Sequence, residues 1–119
     1  ITPLGRDAAG TIYNINADEA AAAIARALPA RKLVFLSDVP GLLKNPEDPQ
    51  SVISTLSQAE VENLIATGII SGGMLPKIQG ALNALAAGVA KVHIIDGNTH
   101  HSLLLEIFTD QGVGTEIVQ

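Results

Sequence analysis

The 119 residues contain no cysteine and no tryptophan, and aromatic side chains make up only 3% of them. Without cysteine there can be no disulfide, no thiolate metal site and no cysteine nucleophile. Basic residues are sparse as well, 7 Lys and Arg against 12 Asp and Glu, for a formal charge of −5. A nucleic-acid surface needs a basic stripe, and these few cations are scattered. No apolar run approaches the roughly 20 residues that cross a bilayer. The opening Ile1-Thr2-Pro3-Leu4-Gly5 has neither a basic n-region nor a signal-peptide core, so a cytoplasmic protein seen in part is expected.

Apolar residues nevertheless reach 47% of the chain, drawn from Ala, Leu, Ile and Val. Such a core suits helices packed on a buried parallel sheet. The opening reads as a hairpin, Ile1 to Leu4 and Thr11 to Ile15, around turn chemistry at Gly5–Gly10. Asn16 is placed to cap an Ala-rich helix over Ala17–Leu28, closed by Pro29. Lys32–Leu36 is a short strand, and residues 44–50, with two prolines, form a loop. Ser57-Gln58-Ala59-Glu60 is a capping box for a helix with Val61, Leu64, Ile65 and Gly68 on one face. Gly72-Gly73 precedes another helix, with Ile78, Leu82 and Leu85 on one side, ended by Gly88. Val89–Ile95 is a buried strand, Thr99 caps a short helix through Ile107, and Gly114–Val118 is a last strand. Strands alternating with helices predict an α/β domain over residues 1–119, its mainly parallel sheet sandwiched by helices. Ligands of such sheets bind beyond the carboxyl ends of strands, which nominates Ser37-Asp38, Asp96-Gly97 and Gly72-Gly73 for one rim.

Three constellations could carry chemistry. Tyr13-Asn14-Ile15-Asn16-Ala17-Asp18 sets two amides and a carboxylate at a strand-to-helix junction, although ordinary capping explains the same residue types. In Gly72-Gly73-Met74-Leu75-Pro76-Lys77, paired glycines admit a phosphate to the backbone and a helix N-terminus offers free N–H groups. A lysine in that first turn opposes the macrodipole, at a cost of a few tenths to about 1 kcal/mol unless an anion sits there. A flexible turn with a solvated lysine is the alternative. Asp96–Ser102 holds adjacent His100 and His101, but neighbours on a helix diverge by about 100° and do not converge on one ion. A polar loop entering a helix accounts for them, and no metal site is expected. Neither the Walker A spacing nor G-x-G-x-x-G at a strand-to-helix turn occurs.

Taken in order, Tyr13–Asp18, Leu36-Ser37-Asp38-Val39-Pro40-Gly41-Leu42, Gly72–Lys77 and Phe108–Thr115 resemble the acetylglutamate kinases of the amino-acid kinase family. The resemblance runs through essentially the whole chain, and only the combination of motifs is specific. It implies the C-terminal, nucleotide-binding part of a longer kinase that phosphorylates the side-chain carboxylate of N-acetyl-L-glutamate with ATP and Mg²⁺, early in arginine biosynthesis. By resemblance, Asn14 holds the acetylglutamate, Asp18 orients the catalytic lysines, and Lys77 stabilises charge on the transferring phosphoryl group. Asp38, Val39, Pro40, Gly41, Leu42 and Leu43, with Ile69, Ile70, Ser71 and Gly73, match the walls of the nucleotide site. The tail resembles that of arginine-inhibited members, which nominates Glu106, with Gly112 and Gly114, for an effector's guanidinium; a solvated Glu106 is the alternative. A homo-oligomer is implied for the full-length protein.

The family's Gly-rich phosphate loop, second catalytic lysine and substrate-binding arginine have no counterpart here. A polypeptide of these residues alone is therefore expected to be inactive. Another amino-acid kinase, or a non-catalytic nucleotide- or arginine-sensing module, remains the competing reading.

Overall fold

The computed structural model describes every residue except Asp110 and Gln111, so that part of the Phe108–Thr115 motif lies outside the described residues. The chain opens with an antiparallel hairpin, β1 (Leu4–Arg6) and β2 (Ile12–Asn14), followed by helix α1 (Ala17–Ala27). Then come β3 (Lys32–Ser37), β4 (Thr55–Ser57), α2 (Gln58–Ala66), α3 (Met74–Ala86), β5 (Lys91–Asp96), α4 (Ser102–Phe108) and β6 (Thr115–Val118). The main sheet has the order β3-β5-β6-β4, parallel at β3/β5 and β4/β6 and antiparallel at β5/β6.

β5 explains how the layers form. Its alternate side chains Val92 and Ile94 enter the main core with Phe35, Ala22 and Ala25 of α1, Val61 of α2, and Ile78, Ala81 and Leu85 of α3. His93 points to the other face, where it meets Glu106 of α4. A strand buried on both faces needs helices on both, which gives the expected sandwich. Gly80 stands where α3 packs on α1, and a Cβ there would make ordinary contact with Ala22 and Phe35.

Several boundaries depart from expectation. β1 extends through Gly5 and Arg6, residues expected in the turn, because Asp7 closes the reversal itself: its carbonyl accepts from Gly10 and its carboxylate from Thr11 and the Tyr13 hydroxyl. The Ser57/Glu60 capping box is present, but Ser57 also ends β4, a strand that the sequence did not suggest. α2 stops at Ala66, so Gly68, at φ +77°, belongs to the turn after it. Thr99 does not cap α4; its hydroxyl donates to Asp96, and the helix starts after a left-handed His101.

Candidate functional site

β3 and β5 end side by side, Ser37 opposite Asp96, with the Gly97 amide donating to the Ser37 carbonyl at 2.8 Å. The chain leaving β3 turns at Gly41 and returns as one wall of a cleft of about 290 Å³. Val39, Gly41, Leu42 and Leu43 line it, and Ile69, Ile70 and Ser71, from the segment after α2, face them. Pro46 and Met74 complete the lining, and neither was assigned to the nucleotide walls from the sequence. Met74 begins α3 and was the more legible of the two, since it directly follows the glycine pair. Asp38 is exposed beside Ser37, Pro40 faces a different groove with Asp96 and Thr99, and Gly73 is not among the lining residues, so these three stand outside the cleft lining.

Gly73 occupies the N-cap position of α3, and no side chain caps the helix. Gly72 holds a left-handed φ of +57°. At both glycines the space a Cβ would take is open, so the backbone facing outward there is unobstructed. An uncapped N-terminus beside an apolar cleft can receive an anion attached to a flat, apolar ligand. Lys77 lies one turn beyond Met74, on the same side of the helix.

Lys77 does not hang in solvent. Its ammonium donates to both oxygens of Asp18, at 2.9 and 3.0 Å, and lies 5.2 Å from the centre of the Phe35 ring. Asp18 is free for this because Asn16 caps α1, accepting from the Asp18 and Glu19 amides at 2.9 and 3.2 Å. Capping thus accounts for Asn16, whereas Asp18 reaches the other helix. Asn14 sits exposed at the end of β2, paired with Leu4.

The second cluster lies under α4. Glu106 is buried and accepts from the Lys32 ammonium at 2.6 Å and the Val113 amide at 3.2 Å. The His93 Nδ1 is 2.6 Å from the same carboxylate oxygen as Lys32, though off the line that a hydrogen bond needs. Its Nε2 is 2.9 Å from Glu116, which also takes Lys91 at 2.8 Å. Burial would raise the Glu106 carboxyl, but the Lys32 bond, the Val113 amide and His93 together hold it below the usual range. The Lys91 bond does the same for Glu116, and burial pushes His93 down. Glu106, Gly112 and Gly114 share a cavity of about 300 Å³ with Lys32, Lys91, His93 and Glu116. The sequence did not connect these last four to Glu106; a histidine inside the apolar Val92–Ile95 run was the one available signal.

The model of the amino acid kinase family matches residues 1–96. The chain belongs to that family. Among curated members, the acetylglutamate kinase of Syntrophomonas wolfei is 55% identical over 118 residues, spanning 99% of this chain and 41% of its own. That of Archaeoglobus fulgidus is 48% identical over 117 residues, 98% of this chain and 40% of its own. The chain therefore spans about 40% of the length of the curated relatives it matches. Among solved structures, the N-acetylglutamate synthase of Neisseria gonorrhoeae complexed with coenzyme A and L-arginine superimposes with a TM-score of 0.88. It is 35% identical, the match covering 99% of this chain and 27% of that one. A carbamate kinase from Giardia lamblia bound to AMP-PNP shares the fold, with a TM-score of 0.73 at 21% identity over 98% of this chain and 41% of its own. Among the described residues no helix is long and apolar enough to cross a membrane.

Proposed function

We propose that this chain is the nucleotide-binding part of an acetylglutamate kinase, which transfers the γ-phosphoryl group of MgATP to the side-chain carboxylate of N-acetyl-L-glutamate. One observation carries the reading: an apolar cleft opens onto the uncapped N-terminus of α3, with Lys77 one turn further on and held by Asp18. In this reading the adenine lies against Val39, Leu42, Leu43, Ile70 and Met74, and the phosphates run along Gly72-Gly73 toward Lys77.

The chemistry suits so few reactive groups. The acceptor is a carboxylate, ionised at neutral pH, so no general base is required. Its oxygen attacks the γ-phosphorus, the bond to the bridging oxygen breaks, and ADP leaves with the electron pair. What the protein supplies is alignment and charge neutralisation, and Mg²⁺ arrives as part of the nucleotide substrate. Lys77 would neutralise the oxygens of the moving phosphoryl group, Asp18 would hold Lys77 in place, and Asn14 would engage the acetylated substrate. An amide can accept from an N–H and donate to a carboxylate, which fits an N-acylated amino acid.

The test is phosphoryl transfer by the full-length protein, with the acyl phosphate trapped by hydroxylamine as a hydroxamate. Hydroxamate should form with N-acetyl-L-glutamate and not with aspartate or carbamate. Formation with aspartate instead would reassign the substrate. Nucleotide binding without any turnover would favour the sensing module.

A second reading concerns regulation, and it is favoured by the meeting of Glu106, Gly112 and Gly114 around one charged cavity. Arginine would bind there as a feedback inhibitor, its guanidinium against Glu106. Dose–response curves of the full-length enzyme with arginine test it; a flat curve removes the effector site.

A further inference from the structure

Thr115 begins β6 and is fully buried, 73 residues along the chain from the cleft wall it touches. Its hydroxyl works in both directions. It accepts from the Leu42 amide at 2.8 Å and donates to the Ile53 carbonyl at 2.7 Å. The Ile53 amide in turn donates to the Leu42 carbonyl at 2.8 Å. Three distant segments are thus closed into one ring of hydrogen bonds: Leu42 to Thr115, Thr115 to Ile53, Ile53 back to Leu42.

The ring acts on the cleft wall directly. Leu42 lines the cleft, as do its neighbours Gly41 and Leu43, and Leu43 forms the next bridge of the same ladder, with Val52. Gly41 has no room for a side chain. A Cβ there would stand 2.6 Å from the Thr115 hydroxyl, at a φ of +148° where side chains are rarely found. The wall therefore rests against β6 at van der Waals distance, and its only side-chain fastening among the described hydrogen bonds is the Thr115 hydroxyl.

We infer that Thr115 is a positioning residue for the nucleotide: through the Leu42 amide and the Ile53 carbonyl it sets where the 41–43 wall stands. This inference rests on the nucleotide-site reading above. Without the hydroxyl, the buried Leu42 amide and Ile53 carbonyl each lose a partner, and a buried unmade bond is costly enough to move a loop. The loop would shift toward other partners, and the wall would shift with it. Thr115→Val keeps the shape and removes both bonds; Thr115→Ser keeps both bonds and removes a methyl group.

The experiment uses the full-length protein, with a fluorescent ribose-labelled ATP analogue for equilibrium binding and steady-state kinetics for both substrates. Thr115→Val should weaken the analogue and raise the KM for ATP by about ten-fold, a shift equivalent to about 1.4 kcal/mol. The KM for N-acetyl-L-glutamate should not move, and Thr115→Ser should stay within about two-fold of wild type for ATP. A purely structural threonine would instead lower the active fraction, leaving both KM values alone. Wild-type protein that fails to bind the analogue overturns the nucleotide site and this inference together. Wild-type binding matched by Thr115→Val overturns the inference alone. Hydrogen exchange on the wild type covers a Val variant that does not fold. The analogue should slow amide exchange in 39–43 and in 113–118 together, and slowing confined to 39–43 overturns the inference.

Discussion

Lys77 donates to both carboxylate oxygens of Asp18 across 59 residues of sequence, joining the first turn of α3 to the first turn of α1. The macrodipole favours Asp18 at its helix start and disfavours Lys77 at its own, so the pair offsets a local cost while fixing the ammonium beside Phe35. In the full-length enzyme, Lys77→Ala should lower kcat by about 10² or more, the usual scale for removing one group that meets transition-state charge. Asp18→Asn should follow it, because the lysine then loses its fixed partner. In the proposed mechanism these groups act on charge that develops during transfer, so ATP affinity should change far less. A raised KM for ATP with unaltered kcat would sink the assignment.

Two glycines separate a folding role from a ligand role. Gly114 holds φ +78°, and a Cβ there would overlap the Ile94 carbonyl oxygen. Gly114→Ala should therefore destabilise the protein by about 3 kcal/mol or more, through overpacking and backbone strain together. Gly73, the N-cap of α3, has φ −65° and ψ −15°, a backbone conformation open to any residue, with open space on its side-chain face. Gly73→Ala should leave the melting temperature unchanged and weaken ATP binding, because the added methyl stands where a phosphate would approach. Thermal unfolding and nucleotide binding on both variants decide the matter, and an unaffected ATP affinity in Gly73→Ala would place the phosphates elsewhere.

The alternation of strands and helices was legible because long periodic segments carry it. Ile78, Leu82 and Leu85 recur at helical spacing and are all buried. β4 was not legible: it is three residues long, only Leu56 is buried, and its last residue doubles as a helix cap. α4 inverts the usual pattern. Leu104 and Phe108 stand exposed while Glu106 is inside, since Lys32, which donates to it, and the His93 ring beside it come from the strands β3 and β5. No local window of sequence contains that information. The cleft was read by its order of motifs, whereas Pro46 and the Thr115 ring depend on a loop's path and on a strand's register.

Acid should destabilise the protein in two steps. Burial lowers the pKa of His93 from its ordinary 6.5, so the unfolded chain takes up a proton before the folded one does. The stability held by neutral His93 is therefore full above that value and falls as the pH drops through it toward the lower folded value. Lys32, Lys91, Glu106 and Glu116 are the charged groups around it, and the carboxylates act in the opposite sense without overcoming burial. Glu106 and Glu116 are themselves lowered from 4.5. Their contribution is present above that pH and is lost as the pH falls through their folded values. Melting temperature against pH for wild type and His93→Gln checks this. The variant should lose the upper step and keep the lower, and an upper step that survives assigns it to another group.

The cavity proposed for arginine already holds a cation. The Lys32 ammonium sits 2.6 Å from Glu106, on the oxygen that a guanidinium would want. An entering guanidinium must displace a cation that is tethered and always present. Lys32→Met removes that competitor, and it leaves Glu106 and Glu116 with Lys91 as the one lysine among the described lining residues. Half-inhibition should then need about ten-fold less arginine, a change worth about 1.4 kcal/mol. Uninhibited kcat should hold, because Lys32 opens β3 while the cleft lies past its other end, about five residues at roughly 3.3 Å each. Glu106→Gln tests the same contact from the other side, keeping the shape while losing the charge that a guanidinium pairs with, so inhibition should vanish. Curves for the wild type and both variants decide together. A right-shifted Lys32→Met curve would make the lysine part of the site instead of its competitor, and a Glu106→Gln curve lying on the wild type would exclude Glu106 as the anchor.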